Sequence, residues 1–253
     1  MRYPEEWVGE FEDGIITGFG LMEAMARFDR WLVGIERLEE GYIPETIRDE
    51  DGNLFINLFS KPEYMDLYGK TWGEKFRPKF FLTLNGSWIF KNLPSGLEYL
   101  NIDPDSEHSI LYKKHQIELL MEIGKMIEID LSMRKIIGTT VKKFVDIKEE
   151  FQNLKNYSDY YFITKDEKAP LAPDDSNRKL IPVFTSKASA KMFSDWLKSG
   201  QEIEDLEIKQ FSGHEIFPKL QKLQLDGIVF NCSGPITPCA FTLELAKKVI
   251  DLG

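Results

Sequence analysis

With 253 residues, 42% of them hydrophobic and 13% aromatic, the chain has material for one large globular core or two ordinary ones, which is not the composition of a disordered chain. Its 42 acidic against 32 basic side chains give a net charge of −10, which works against binding to nucleic acid or to an anionic lipid surface. Two cysteines, Cys232 and Cys239, are too few for a disulfide framework, and no apolar run approaches the roughly 20 residues that cross a bilayer.

Met1 to Glu6 lacks the basic start and apolar run of a signal peptide, so a cytoplasmic location is expected. Residues 1–18, with Trp7, Val8, Phe11, Ile15 and Ile16 among carboxylates and glycines, read as a cover for the first domain. Leu21, Met22, Met25 and Phe28 have helical spacing, and Trp31 to Ile35 reads as a strand. The polar run Glu36 to Asn53 is expected to be a long connection to a strand at Leu54–Phe59. Ser60-Lys61-Pro62-Glu63 matches a capping box, so a helix should follow to Tyr68 or Trp72. A strand at Lys79–Leu84, a short helix at Gly86–Leu93 and a strand at Leu97–Ile102 come next. Ile117, Leu120, Ile123 and Ile127 then share one side of a helix.

The second half replays this order. A helix is expected over Val141–Leu154, a strand over Tyr160–Ile163, and then Leu180–Phe184 running into a helix from Ala188 to Leu197. Leu206–Phe211 alternates like a half-buried strand, Gly213–Leu220 is a short helix, and Gly227–Asn231 is a strand. Phe241, Leu245, Val249 and Leu252 build a last amphipathic helix. Ser60 to Ser186 is a shift of 126, Gly86 to Gly213 of 127, and Asn101 to Asn231 of 130, a drift that loops absorb. The expected fold class is therefore α/β with α+β mixed sheets, in two similar tandem domains at 1–137 and 138–253. Each is a small mixed sheet flanked by helices in the order α-β-β-α-β-α-β-α. Pro182 cannot donate to a ladder, so its strand should be bulged or lie at an edge. The paired lysines at Lys113-Lys114, Lys142-Lys143 and Lys247-Lys248 sit in helical patterns and read as solvated faces.

Leu180-Ile181-Pro182-Val183-Phe184-Thr185-Ser186-Lys187, followed by Gly227-Ile228-Val229-Phe230-Asn231 and Pro235, resembles the N-terminal domain of the enhanced-serine-sensitivity (SseB-type) bacterial proteins. The resemblance covers Tyr160 to Leu252, and residues 31–127 look like a more divergent copy with Asn57-Leu58-Phe59-Ser60 at the motif position. It implies no established catalytic mechanism. Two copies in tandem depart from the usual pairing of this domain with a different C-terminal one.

The chemistry-bearing residues are sparse. Asp103, Asp105, His108 and His115 lack the spacing that converges ligands on a metal, so no metal and no cofactor is expected. Cys232 and Cys239 are not a Cys-x-x-Cys pair and have no histidine beside them in sequence, which favours small buried residues over a nucleophile. No glycine-rich phosphate loop occurs, and Ser60, Thr185 and Ser186 read as N-caps. Asn101 and Asn231 end strands where open α/β sheets take ligands. The candidate ligand-binding residues are therefore Asn101, Asp103, Asn231 and Cys232, with no catalytic residue assigned. The expected function is a non-catalytic protein–protein interaction module whose partner is another protein rather than nucleic acid or membrane. The alternatives are an enzyme or small-molecule binder using Asn101–Asp105 or Asn231–Cys239, and a toxin-neutralising immunity-type protein.

Overall fold

The computed structural model describes residues 2–39, 41–73, 78, 80–139, 143, 146–165, 168–172, 178–201 and 205–253. The chain divides into two compact units, Met1–Ile127 and Glu128–Gly253, each of α/β mixed-sheet type.

Unit 1 opens with helices α1 (Pro4–Glu12) and α2 (Gly18–Arg27) and strand β1 (Trp31–Leu38). Short strands β2 (Gly41–Pro44) and β3 (Ile47–Arg48) interrupt the stretch expected to be a plain connection, and β4 (Leu54–Phe59) leads into α3 (Pro62–Trp72). There follow β5 (Phe81–Leu84), α4 (Gly86–Lys91), β6 (Tyr99–Ile102), β7 (Ile110–Lys113) and α5 (Lys114–Gly138). Lys79, the first residue of one expected strand, lies outside the described residues.

Side chains alternate across the sheet. Ile56 and Leu58 of β4 are fully buried on one face, with Leu100 and Ile102 of the parallel neighbour β6. On the other face Phe59 and Leu32 pack against Met65 and Tyr68 of α3. Gly124 lets α5 lie directly on α4, since a Cβ there would fall 2.8 Å from the Lys91 nitrogen.

Unit 2 takes the second half of α5, then α6 (Lys148–Asn156), β8 (Tyr160–Thr164), β9 (Leu180–Val183) and α7 (Lys187–Gln201). It continues through β10 (Glu207–Phe211), α8 (Gly213–Leu220), β11 (Gly227–Phe230), β12 (Cys239–Thr242) and α9 (Leu243–Leu252). The helix expected from Val141 begins only at Lys148, with residues 141, 142, 144 and 145 outside the described set. The expected boundary at 137/138 falls in the last turn of α5, whereas the units divide earlier in that helix, between Ile127 and Glu128. Ile129, Met133 and Ile136 belong to the unit 2 core, while Ile117, Leu120 and Ile123 are buried on the unit 1 side of the division.

Three pairings recur in both units, while the β1–β2 and β3–β4 pairings are found in unit 1. β1 pairs antiparallel with β5, and β8 with β10. β4 pairs parallel with β6, and β9 with β11. β6–β7 and β11–β12 are both antiparallel. The β1–β4 contact (Leu32↔Phe59, Val33↔Leu58) shrinks in unit 2 to the single bridge Tyr161↔Phe184. Pro182 explains the loss: two residues along from Phe184, it occupies the next position whose N–H would face β8, and it has none to give. The expected element order omitted β7 and β12, and Phe241 lies in β12 rather than in the last helix. Thr242 sets that helix start, accepting from the Leu245 N–H at 3.3 Å.

The contacts before the first long strand also repeat. Trp31 Nε1 donates to the Met25 carbonyl at 3.0 Å, and the Tyr160 hydroxyl donates to the Leu154 carbonyl at 3.0 Å. Phe28 meets Trp31 edge-on at 4.9 Å, and Tyr157 meets Tyr160 edge-on at 5.1 Å. Gly86 and Gly213 open α4 and α8 so close to α2 and α6 respectively that a Cβ would lie 2.3 Å from the Met25 or Leu154 oxygen.

Candidate functional site

The ends of the parallel strands carry the most ordered polar geometry in each unit. β4 stops at Phe59 and β9 at Val183, and each hands on a hydroxyl residue, Ser60 in unit 1 and Thr185 in unit 2. The neighbouring parallel strand turns at once into a residue with positive φ, Asp103 at 46° and Asn231 at 54°. Asp and Asn tolerate that left-handed conformation better than other residues with a side chain. It leaves each backbone N–H on the adjacent strand: Asp103 donates to the Leu58 carbonyl at 2.8 Å, Asn231 to the Val183 carbonyl at 2.9 Å.

The side chains then close a clasp. In unit 1 the Ser60 N–H donates to Asp103 Oδ1 at 2.6 Å and the Ser60 hydroxyl to Oδ2 at 2.7 Å. In unit 2 the Thr185 N–H donates to Asn231 Oδ1 at 2.9 Å, and Asn231 Nδ2 donates to the Thr185 hydroxyl at 2.9 Å. Asp103 and Asn231 are each 1% exposed. Burial drives the Asp103 carboxyl up to about 6, against the opposing pull of the two Ser60 hydrogen bonds, with Glu5 adding to the rise and Lys61 opposing it.

This arrangement corrects three expectations. Ser60 is not an N-cap: α3 begins after Lys61 with no side-chain cap, because the Ser60 hydroxyl is taken by Asp103. Thr185 likewise bonds Asn231, and only Ser186 caps, accepting from the Ser189 N–H at 3.3 Å. The counterpart of Asn231 is Asp103 rather than Asn101. Asn101 stands opposite Asn57 in the β4–β6 pair and donates to its side-chain oxygen at 2.8 Å. The equivalent pair in unit 2 is Val229 and Pro182.

An ion pair beside the unit 1 clasp joins Glu5 of α1 to Lys61, and both charges act on Asp103. Lys61 Nζ meets both Glu5 oxygens at 2.7 Å, and the Tyr64 hydroxyl donates to Glu5 at 2.9 Å. The Lys61 contact holds Glu5 below its ordinary range, and burial pushes Tyr64 to about 12. Sequence reasoning missed this group because Glu5 and Lys61 are far apart in the chain. Asp105 is engaged as well, accepting from the Trp72 indole at 2.8 Å. Among the described residues no group of three or more His, Cys, Asp or Glu side chains could hold a metal ion.

Cys232 follows the unit 2 clasp and lines a cleft of about 540 Å3 on the α7 side of β11. Met192, Phe193 and Trp196 of α7 form one wall, Val229 and Pro238 another. Met192 and Trp196 are 42% and 46% exposed. Burial pushes the Cys232 thiol up to about 11, so it is protonated at neutral pH and a poor nucleophile. Cys239 is buried in β12. His214 lies against the Asn156 side-chain oxygen at 3.1 Å. The cleft was hidden in the sequence because its lining comes from α7, β11 and the chain at Ala172 and Pro238, which only the fold brings together.

No family model and no curated protein matches the chain. Among solved structures, Anabaena Tic22 (protein transport) is matched over 83% of this chain and 88% of that one, at 13% identity and a TM-score of 0.23. A superposition of that quality carries neither fold nor function across.

Proposed function

We propose that this protein is a non-catalytic, cytoplasmic interaction module of two SseB-like units, and that the α7 cleft of unit 2 receives an apolar side chain from a protein partner. The observation that carries the reading is the cleft itself. A tryptophan and a methionine stand half exposed on one helix wall, and these residue types are enriched where proteins meet. A pocket for a free small molecule normally adds a few converging polar groups that fix its orientation. Here the neighbouring polar groups are occupied: Thr185 and Asn231 bond each other, and the Ser233 hydroxyl donates to the Ser189 carbonyl at 3.0 Å. An apolar lining without anchors suits a side chain whose position is fixed by the rest of a partner surface.

The test is capture from native lysate with the wild-type chain and with Trp196→Asp, followed by purification of the retained partner and measurement of its Kd. A loss of at least roughly tenfold in Trp196→Asp supports the reading. Equal binding by Trp196→Asp and Met192→Asp removes the cleft from it. A substrate turned over by the purified chain, with no partner retained, overturns it entirely.

A further inference from the structure

A second cleft in unit 2, independent of the docking reading, lies beside α8. It encloses about 430 Å3 between the β8–β10 strands, the C-terminal end of α8 and the chain after β8. Phe162, Phe211 and Leu220 are among its apolar lining, and Leu171 and Leu223 are 47% and 42% exposed. Two cations join this lining, Lys168 and Lys219. The Lys219 ammonium lies 4.1 Å from the Phe211 ring centroid, which holds it at the cleft. Glu215, one turn earlier on α8, accepts from the Ser212 N–H and hydroxyl at 2.9 Å each, and the Lys219 charge acts on it without a direct ion pair. Among the described residues neither lysine is in an ion pair.

Unit 1 treats the corresponding region differently. The connection after β1 lays Tyr42 against Trp88 of α4, ring centroids 5.3 Å apart. In unit 2 the connection after β8 supplies Lys168 and Leu171 to the cleft wall instead.

We propose that the α8 cleft binds a small amphiphile, an apolar body carrying a single acid group, with the body on Phe162, Phe211 and Leu220 and the acid between Lys168 and Lys219. Two cations lining one apolar cleft, neither of them in an ion pair among the described residues, are a local exception in a chain of net charge −10. That overall charge also selects the occupant. A polyanionic partner meets repulsion from the whole surface, whereas a small monoanion gains the two local contacts at little long-range cost. The cleft has the size of ordinary small-ligand sites.

Decanoate, decanol and decyltrimethylammonium titrated into the full chain test this, read by calorimetry and by amide chemical shifts. The expected result is saturable one-site binding of decanoate, with shifts confined to residues 168–172, 211 and 216–225. Binding should weaken roughly tenfold in Lys219→Met, less in Lys168→Met, and be weak for decanol and absent for the cation. Lys→Met keeps the apolar stem and the fold while removing the charge. Equal affinity for decanoate and decanol, binding unchanged in the double variant, shifts centred on Met192 and Trp196, or tighter binding of an acidic leucine-rich peptide than of decanoate would each overturn the proposal.

Discussion

The two clasps are one device built with different atoms. Both join a hydroxyl residue after one strand to a left-handed residue after its parallel neighbour, and both bury the acceptor. Unit 2 uses an amide, which has a donor for the hydroxyl and an acceptor for the N–H whatever the pH. Unit 1 uses a carboxylate, which accepts from both but must carry a charge out of water to do so. The geometry is therefore a requirement of the fold and the charge is an addition peculiar to unit 1. The strand-end positions that look like ligand sites in sequence are occupied holding β4 to β6 and β9 to β11. The binding surface we assign lies on the α7 face of unit 2, where unit 1 has the Asn57–Asn101 pair in place of Pro182 and Val229.

The equivalence of the units can be broken hardest at their helix-opening glycines. Ala at Gly86 or Gly213 places a Cβ 2.3 Å from a backbone oxygen that cannot rotate away. Each should cost more than about 3 kcal/mol in urea unfolding, with the two losses alike. A benign Gly86→Ala beside a severe Gly213→Ala would show that the shared contact is coincidental.

The repeat was legible because local rules decide much of it. Gly86 and Gly213 head short helices in both halves, and the core periods of α7 and of the first half of α5 emerge directly from Ala190, Phe193 and Leu197 or Ile117, Leu120 and Ile123. The clasp was not legible, because its partners are remote. Ser60-x-x-Glu63 satisfies the capping-box pattern, yet its hydroxyl goes to Asp103. Ser212-x-x-Glu215, with no such competitor, does form the box. Matching like letters also paired Asn101 with Asn231, whereas strand register and backbone conformation pair Asp103 with it. β12 was absorbed into a helix because Phe241, Leu245, Val249 and Leu252 keep helical spacing across a strand-to-helix junction.

Asn231→Gly keeps the positive φ and deletes the acceptor, leaving the buried Thr185 N–H without its side-chain partner. The expected cost is about 2–3 kcal/mol, read from the urea midpoint at unchanged m-value. A loss below about 0.5 kcal/mol would mean that water satisfies the site and the clasp is not a fold requirement.

Asp103→Asn converts the unit 1 clasp into the unit 2 form and should stabilise. The Asp103 carboxyl is raised from 3.8 to about 6 in the folded chain, so the folded state binds the proton more tightly than the unfolded one. Its favourable contribution is fully present below about pH 4, falls as pH rises, and is gone above about pH 6. The variant should lack that slope and gain about 1–3 kcal/mol at pH 7, while matching wild type near pH 4. The reciprocal Asn231→Asp should acquire the slope and lose stability at pH 7. A flat wild-type profile between pH 4 and 6 would place the Asp103 proton elsewhere.

The smallest effect separates hydrogen bonding from packing at the equivalent aromatic pair. Tyr160→Phe removes only the hydroxyl that donates to the Leu154 carbonyl, keeping the ring on Tyr157, Phe217 and Phe230. Trp31→Phe removes the indole N–H to Met25 together with part of the ring, so it subtracts the same kind of hydrogen bond plus buried area. Tyr160→Phe should therefore cost about 1 kcal/mol and Trp31→Phe distinctly more, both as shifts of the unfolding midpoint. The order matters more than either value, because the bond to the preceding helix is common to both units and only the lost area differs. Equal costs would mean that the Trp31 ring contributes nothing beyond its N–H, and that the two aromatics anchor their helices by the hydrogen bond alone.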